Sequence, residues 1–406
     1  MSLSSEDVVI SKHELHAYVV RSCERMGVKT GHASAMADLL VAADYRGLRT
    51  HGFNNLKYYM DQLLTNKIAL DKEPEIIKQT VATALVDGNN VLGHVVGNFA
   101  MDLAIQKAKE AGVGWVTVKG SNHFGIAGWY STRASEQGLV GLAFTNGPPF
   151  AVPTRARKAT LSTNPISVAA PANNGDSMVL DMATTTSSYR KLEMKALRNE
   201  PVPIGWAVDS EGKVRKTVEH ERSEKLFDVK SSCTRETLRR ELREKLFDVS
   251  EKLLDVNFPT TDPRVLFQGG NLMPLGGLEE TSGYKGYGLG MMVEVFCGIL
   301  SGGAFGPFTG RYFLGDESPD VIPFEDTIDP KAFAPGFPDR MSQLLDHCRN
   351  LQPAEGDSEV LVPGDLERQH MSMCDTLGGI PYKPKLIQDA DKFAAEHGIE
   401  PLKRKS

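Results

Sequence analysis

Three short clusters combine side chains that move protons or bind anions with glycines that permit tight turns. Arg46-Gly47-Leu48-Arg49-Thr50-His51-Gly52 closes an apolar run of helical spacing, and its glycines leave His51 accessible. Ser121-Asn122-His123-Phe124-Gly125 follows the β-rich run 114–118, and a histidine on a loop leaving a strand is well placed for proton transfer near neutral pH. Ser282-Gly283-Tyr284-Lys285-Gly286-Tyr287-Gly288 opens an apolar helix, where a glycine-rich turn with a lysine suits a phosphate or a carboxylate. Each cluster also has a plainer reading. A lone histidine in a polar loop is often structural, and the glycines at 283–288 equally suit a helix start packed tightly against a neighbour.

Other chemistries lack their motifs. No GxGxxG follows a strand, no GxxxxGK[ST], HExxH or GxSxG occurs, and no Cys/His cluster has zinc spacing, so no metal site is expected. The 406 residues carry 52 acidic and 46 basic side chains, a net charge of −6, which argues against a nucleic-acid partner. The apolar run 288–300 is shorter than the roughly 20 residues a membrane span needs, and it reads as a buried helix. Residues 1–10 show no secretory pattern, and the 5 cysteines form no CxxC pair, so a cytoplasmic protein with reduced thiols is expected.

The elements that must position these clusters are legible in outline. Ser11 and Glu14, three apart, form a capping box ahead of a first helix that ends at Gly27. Met36, Leu39, Leu40 and Ala43 recur at helical spacing in a second helix, and residues 51–64 form a third. Short β-rich runs at 81–86, 114–118, 139–144 and 166–170 alternate with helical runs at 94–109 and 127–136, predicting an α/β or mixed α+β class. Between 218 and 257 charged residues dominate, and near-copies of Glu-Lys-Leu-Phe-Asp-Val begin at 224, 244 and 251. They are too irregular for a solenoid, and an inserted surface segment at 219–256 is the simplest reading.

Taken in order, the clusters resemble one family. The two histidine clusters, Thr163-Asn164-Pro165, Asp181-Met182-Ala183-Thr184, Pro203 to Asp209, Leu275-Gly276-Gly277 and the segment from Ser282 to Leu289 followed by Glu294 are similar to the successive motifs of the type-2 malate/L-lactate dehydrogenases. The resemblance implies a non-Rossmann nicotinamide-binding fold, a homodimer, and hydride transfer between the cofactor and a small 2-hydroxy or 2-oxo acid. It implies a helical, dimerising layer from residues 1–75 and 300–406, and a cofactor- and substrate-binding part at 76–299 that contains the insertion. His123 would be the acid/base, with His51 and Thr50 beside it. Asn55, Tyr59, Arg49 and Lys191 would meet substrate. His123, Phe124, Gly125, Ile126, Ala127, Asn146, Gly147, Thr163, Asp181, Met182, Ala183, Lys285 and Gly286 would hold the cofactor, NAD in preference to NADP.

Two departures bear on the site. Asn55 stands where the family pattern has an arginine that grips the substrate carboxylate, and Arg190 stands where it has a glycine before Lys191. Arg46, Arg49 or Lys57 are the cations close enough in sequence to compensate for Asn55. The departures also admit a second reading, a catalytically impaired relative that serves as a binding or regulatory protein. If 219–256 is only a surface insertion, its deletion leaves the thermal transition and cofactor affinity unchanged, and aggregation of the shortened chain would show that it contributes to the core.

Overall fold

The computed structural model describes residues 6–156, 158–197, 200–208, 259–260, 264, 270–309 and 321–404. The insertion expected at 219–256 lies outside the described residues.

The N-terminal helices α1 (Lys12–Arg25), α2 (Thr30–Tyr45) and α3 (Leu56–Leu64) bury Leu15, Tyr18, Met36, Leu40, Tyr59 and Met60 in one core. Ser11 caps α1 by accepting from the Glu14 N–H at 3.1 Å. The other half of the expected capping box does not form. The Glu14 carboxylate instead takes the Arg21 guanidinium at 2.7 Å and the Lys403 backbone N–H at 3.0 Å. Both chain ends share this layer. Strand β1 (Val8–Ile10) pairs antiparallel with β12 (Ile380–Tyr382), and the Tyr18 hydroxyl donates to Ala390 O at 2.8 Å.

A seven-stranded mixed sheet forms the second part. In spatial order it runs β2 (Glu75–Gln79), β3 (Thr83–Asp87), β4 (Val113–Lys119), β11 (Pro323–Ile328), β5 (Val140–Thr145), β6 (Ile166–Pro171) and β7 (Ser177–Met182). Only β3 and β4 pair in parallel among these strands. Alternation along β4 explains how both faces are covered. Val116 and Val118 pack under α4 (Gly93–Ala111), while Trp115 and Thr117 face the segment 295–299 that continues α7 (Gly283–Glu294). Helix α5 (Ala127–Ser135) lies beside α4. A small sheet of β8 (Ala207–Val208), β9 (Pro259–Thr260) and β10 (Asn271–Leu272) packs near α6 (Tyr189–Leu197).

Three strands differ from the sequence expectation. Every residue of β2 is exposed and every residue of β7 is half-buried, so neither has the alternation that marks a strand with one covered face. Strand β11, in a stretch expected to belong to the helical layer, lies at the sheet centre and carries the buried acids Glu325 and Asp326. Burial lifts the Glu325 carboxyl well above its usual range, which is how an acid is tolerated there. The apolar run 288–300 is helical but not wholly buried, since Met291, Val295, Ile299 and Leu300 are exposed.

Candidate active site

Strand directions collect the candidate residues at one end of the sheet. In register, Phe324 opposes Thr117 and Phe144, Phe144 opposes Ile166, and Ile166 opposes Met182. The loop after β4, the end of β5, the start of β6 and the end of β7 therefore share an edge. His123, Asn146 and Gly147, Thr163, and Asp181 to Ala183 sit on those segments. Gly286 joins them by packing against Leu275, whose N–H donates to Thr184 O at 2.8 Å.

His123 is held from two sides. Asn122 locks its loop to the start of α4, accepting from the Gly93 N–H at 2.9 Å and donating to Val91 O at 2.7 Å. The Tyr59 hydroxyl, one layer away on α3, meets His123 Nδ1 at 2.5 Å. His51 arrives from the loop after α2, its ring nearly parallel to that of His123 at 11° with centroids 5.8 Å apart. The Thr50 hydroxyl lies 2.9 Å from His51 Nδ1 and fixes the ring. Asp44, at the end of α2, organises this loop by accepting from the Phe53 N–H at 2.8 Å and from the Tyr382 hydroxyl at 2.6 Å. A Cβ on Gly52 would lie 2.1 Å from Asp44 Oδ1, so only glycine lets the chain pass. Burial pushes the Asp44 carboxyl up to about 6 against the pull of these hydrogen bonds.

Enclosure dominates the electrostatics, while His51 and His123 each keep part of their surface exposed. Burial, with help from the Arg190 charge, lowers His51 to about 4. Burial lowers His123 well below 6.5, and His51, His94 and Arg190 push the same way. Burial holds the Tyr59 phenol well above 10, so it remains protonated beside His123.

The remaining expected residues divide. Arg49 donates to Pro381 O at 2.6 Å and lies over the Tyr382 ring, so it serves the helical layer. Lys57 pairs with Asp61 at 2.9 Å on an exposed helix face. Arg46 is half-buried within the field of Asp181. None of the three reaches Asn55. Arg190 does, donating from Nη2 to Asn55 Oδ1 at 2.9 Å, while the neighbouring Lys191 ammonium sits over the Trp206 ring. Sequence reasoning treated Arg190 only as a lost glycine; weighing it together with Asn55 was the signal that could have found it.

Among the expected cofactor residues, several side chains already have protein partners. The Asn146 amide donates to Glu294 and Ala304 O and accepts from the Ile322 N–H. The Phe124 ring stacks on Tyr130. Asp181 accepts from the Gly128 N–H at 2.8 Å and so occupies the start of α5, where an external anion could otherwise sit. Gly125, Ile126 and Ala127 are buried in the turn into α5. Thr163 O accepts from the Thr184 N–H at 2.9 Å, whereas Thr163, Met182 and Ala183 stay partly exposed and Lys285 is exposed. A Cβ on Gly286 would lie 2.3 Å from Leu275 O, so the glycine at this helix start serves close backbone packing.

Comparison with known proteins places the chain in a family. The sequence model of the malate/L-lactate dehydrogenase family matches residues 10–220 and 256–390, and the break between them coincides with the repetitive charged segment. The chain is 34% identical over 97% of its length, and 96% of the other, to malate dehydrogenase of Pyrococcus abyssi. It is 31% identical to L-sulfolactate dehydrogenase of Methanothermobacter thermautotrophicus, covering 92% of this chain and 93% of that one. The solved structure of malate dehydrogenase from Pyrococcus horikoshii OT3 superposes with a TM-score of 0.81 at 31% identity, covering 99% of both chains. No helix among the described residues is long and apolar enough to cross a membrane.

Because His51 refuses a proton down to about 4, whereas the unfolded residue takes one up near 6.5, this residue costs stability as pH falls through that window. NMR titration of the imidazole C–H signals is expected to show no midpoint between about pH 6 and 8 for His51 or His123. A midpoint near the unperturbed value would show a wet pocket.

Proposed function

Because the chain belongs to the malate/L-lactate dehydrogenase family, we propose that it is a nicotinamide-dependent oxidoreductase interconverting a small 2-hydroxy acid and its 2-oxo acid, malate being the first substrate to test. The observation that carries this reading is the constellation of His123, Tyr59 and His51, three groups from separate elements meeting at the sheet end.

When bound, the nicotinamide supplies or accepts the hydride, and the protein's residues handle the proton. His123 Nδ1 is engaged by Tyr59, so proton exchange with the substrate oxygen falls to Nε2. In reduction, protonated His123 gives this proton to the carbonyl oxygen as hydride reaches carbon; in oxidation Nε2 takes it back from the hydroxyl. The Tyr59 hydroxyl can donate to Nδ1 or accept from it, so either tautomer of His123 keeps its partner. His51, neutral and fixed by Thr50, orients the substrate oxygen.

The residues at the sheet end fit a nicotinamide nucleotide. Asn164 Oδ1 and Ser187 Oγ are buried polar atoms without a hydrogen-bond partner in the described structure, and a nucleotide's amide and hydroxyl groups could supply one. Thr163, Met182, Ala183 and Lys285 would border the cofactor from their accessible positions. The mixed sheet, with a single parallel pair among its seven strands, supports a non-Rossmann mode. The exposed apolar side chains Met291, Val295, Ile299 and Leu300 support a homodimer.

Oxidation of NADH, and separately of NADPH, with oxaloacetate, pyruvate and other 2-oxo acids tests the activity. Turnover is expected with at least one acid, and His123→Ala is expected to lower kcat by roughly 100-fold or more. Full activity in that variant removes His123 from the mechanism, while no turnover and no cofactor binding in the parent enzyme leaves the regulatory reading. Light scattering is expected to give twice the 44.4 kDa chain mass; the mass of one chain would refute the dimer.

A further inference from the structure

We propose that Arg190 binds the carboxylate of the 2-oxo acid and that Asn55 positions it, so that the anion grip of this enzyme comes from α6. The inference rests on the dehydrogenase reading and deepens it by naming the residue that selects an anionic substrate.

The pocket around His123 needs a cation for such a substrate, and its two histidines do not provide one. Both are held neutral by burial. The other basic groups nearby serve elsewhere. Arg49 is bonded to Pro381 O, Lys57 to Asp61, Lys191 lies over Trp206, and Arg46, half-buried in the field of Asp181, is not among the charges acting on either histidine. Arg190 is the cation whose charge is felt at His51, Tyr59 and His123 alike.

Its geometry is that of a prepared donor. One guanidinium nitrogen, Nη2, is fixed by Asn55 Oδ1 at 2.9 Å, and Asn55 is itself only 5% exposed, so the anchor is rigid. Glu193, at 3.9 Å from Nη1, is too distant for a hydrogen bond. The Arg190 side chain is 40% exposed, and a guanidinium has five N–H donors, so one bond to Asn55 leaves donors for a bidentate carboxylate. Position adds a second reason. Asn55 stands at the N-terminal boundary of α3 and makes no side-chain capping bond there; the helix dipole is positive at this end, so Arg190 brings a cation to an end that favours an anion. A carboxylate bound between them satisfies both, one helical turn before Tyr59 and its partner His123.

The pairing also gives the two sequence departures one account. A position that lost a guanidinium, Asn55, and a position that gained one, Arg190, end within a hydrogen bond of each other. The charge is kept while its origin in the chain has moved.

Steady-state kinetics of Arg190→Gln, Arg190→Lys and the exchange variant Asn55→Arg/Arg190→Gly test this, with Lys57→Gln as a surface control and thermal melts to verify folding. Arg190→Gln is expected to raise KM for the 2-oxo acid about 10- to 100-fold, with KM for the reduced cofactor unchanged. Arg190→Lys should lose less, and the exchange variant should recover most of the loss. An unchanged KM for the acid in Arg190→Gln, or an equal rise for acid and cofactor, overturns the assignment. Oxalate, a substrate-sized dicarboxylate, supplies a readout without turnover. Calorimetric titration into enzyme with NADH is expected to show binding that weakens about 10-fold or more in Arg190→Gln and persists in Lys57→Gln. If the parent enzyme reduces no 2-oxo acid, the functional reading fails by itself, and the oxalate titration still decides Arg190: equal affinity in parent and Arg190→Gln, or no binding in either, refutes it.

Discussion

A buried carboxylate must find donors, and the way Asp44 finds them sets the geometry on which the rest of the site depends. Its donors come from the backbone at Phe53, in the loop that carries His51, and from the hydroxyl of Tyr382, near the other end of the chain. Gly52 is pressed so closely against Asp44 that the loop has one path available. His51 is thereby delivered to the face of His123, and Phe53 leads directly to Asn55 and α3, which carries Tyr59. One unsolvated charge thus fixes the entry of His51, Asn55 and Tyr59 into the pocket.

The rest of the pocket continues the same theme of ionisable groups held dry. His51, His123 and Tyr59 are kept in their neutral forms by burial, and Asp181 and Glu325 are lifted above the usual carboxylate range for the same reason. The field of Arg190 reaches His51, Tyr59 and His123 although its own side chain is 40% exposed, because those three groups are enclosed. In the proposed mechanism bound anion and proton donor are coupled: a carboxylate beside Arg190 would offset the field that depresses His123 and favour its protonated imidazole.

Much of this was legible in the sequence, and what was not has identifiable causes. The helices α1, α2 and α4, the strands β4, β5 and β6, and the histidines at 51 and 123 carry strong local signals: apolar periodicity, a cap at Ser11, glycine-flanked polar clusters. Strands β2 and β7 lie at the sheet's margins and lack alternation, while β11 hides its central position behind two acids whose carboxyl groups burial lifts above their usual range. Arg190 was invisible as a site residue because its meaning depends on Asn55, 135 positions away. Asp44 reads as an ordinary polar residue at the end of a helix until Tyr382 is folded against it.

That last contact spans 338 positions. Contacts so distant in the chain carry the largest loop-closure cost and form late among the events of folding. With β1 paired to β12 and Arg21 bonded to the carbonyls of Glu400 and Pro401, the helical layer closes like a clasp between segments far apart in sequence. A chain released before residue 382 would carry His123 but lack the hydroxyl that seats Asp44. This topology therefore makes the seating of the His51 loop wait on a strand 338 positions beyond Asp44.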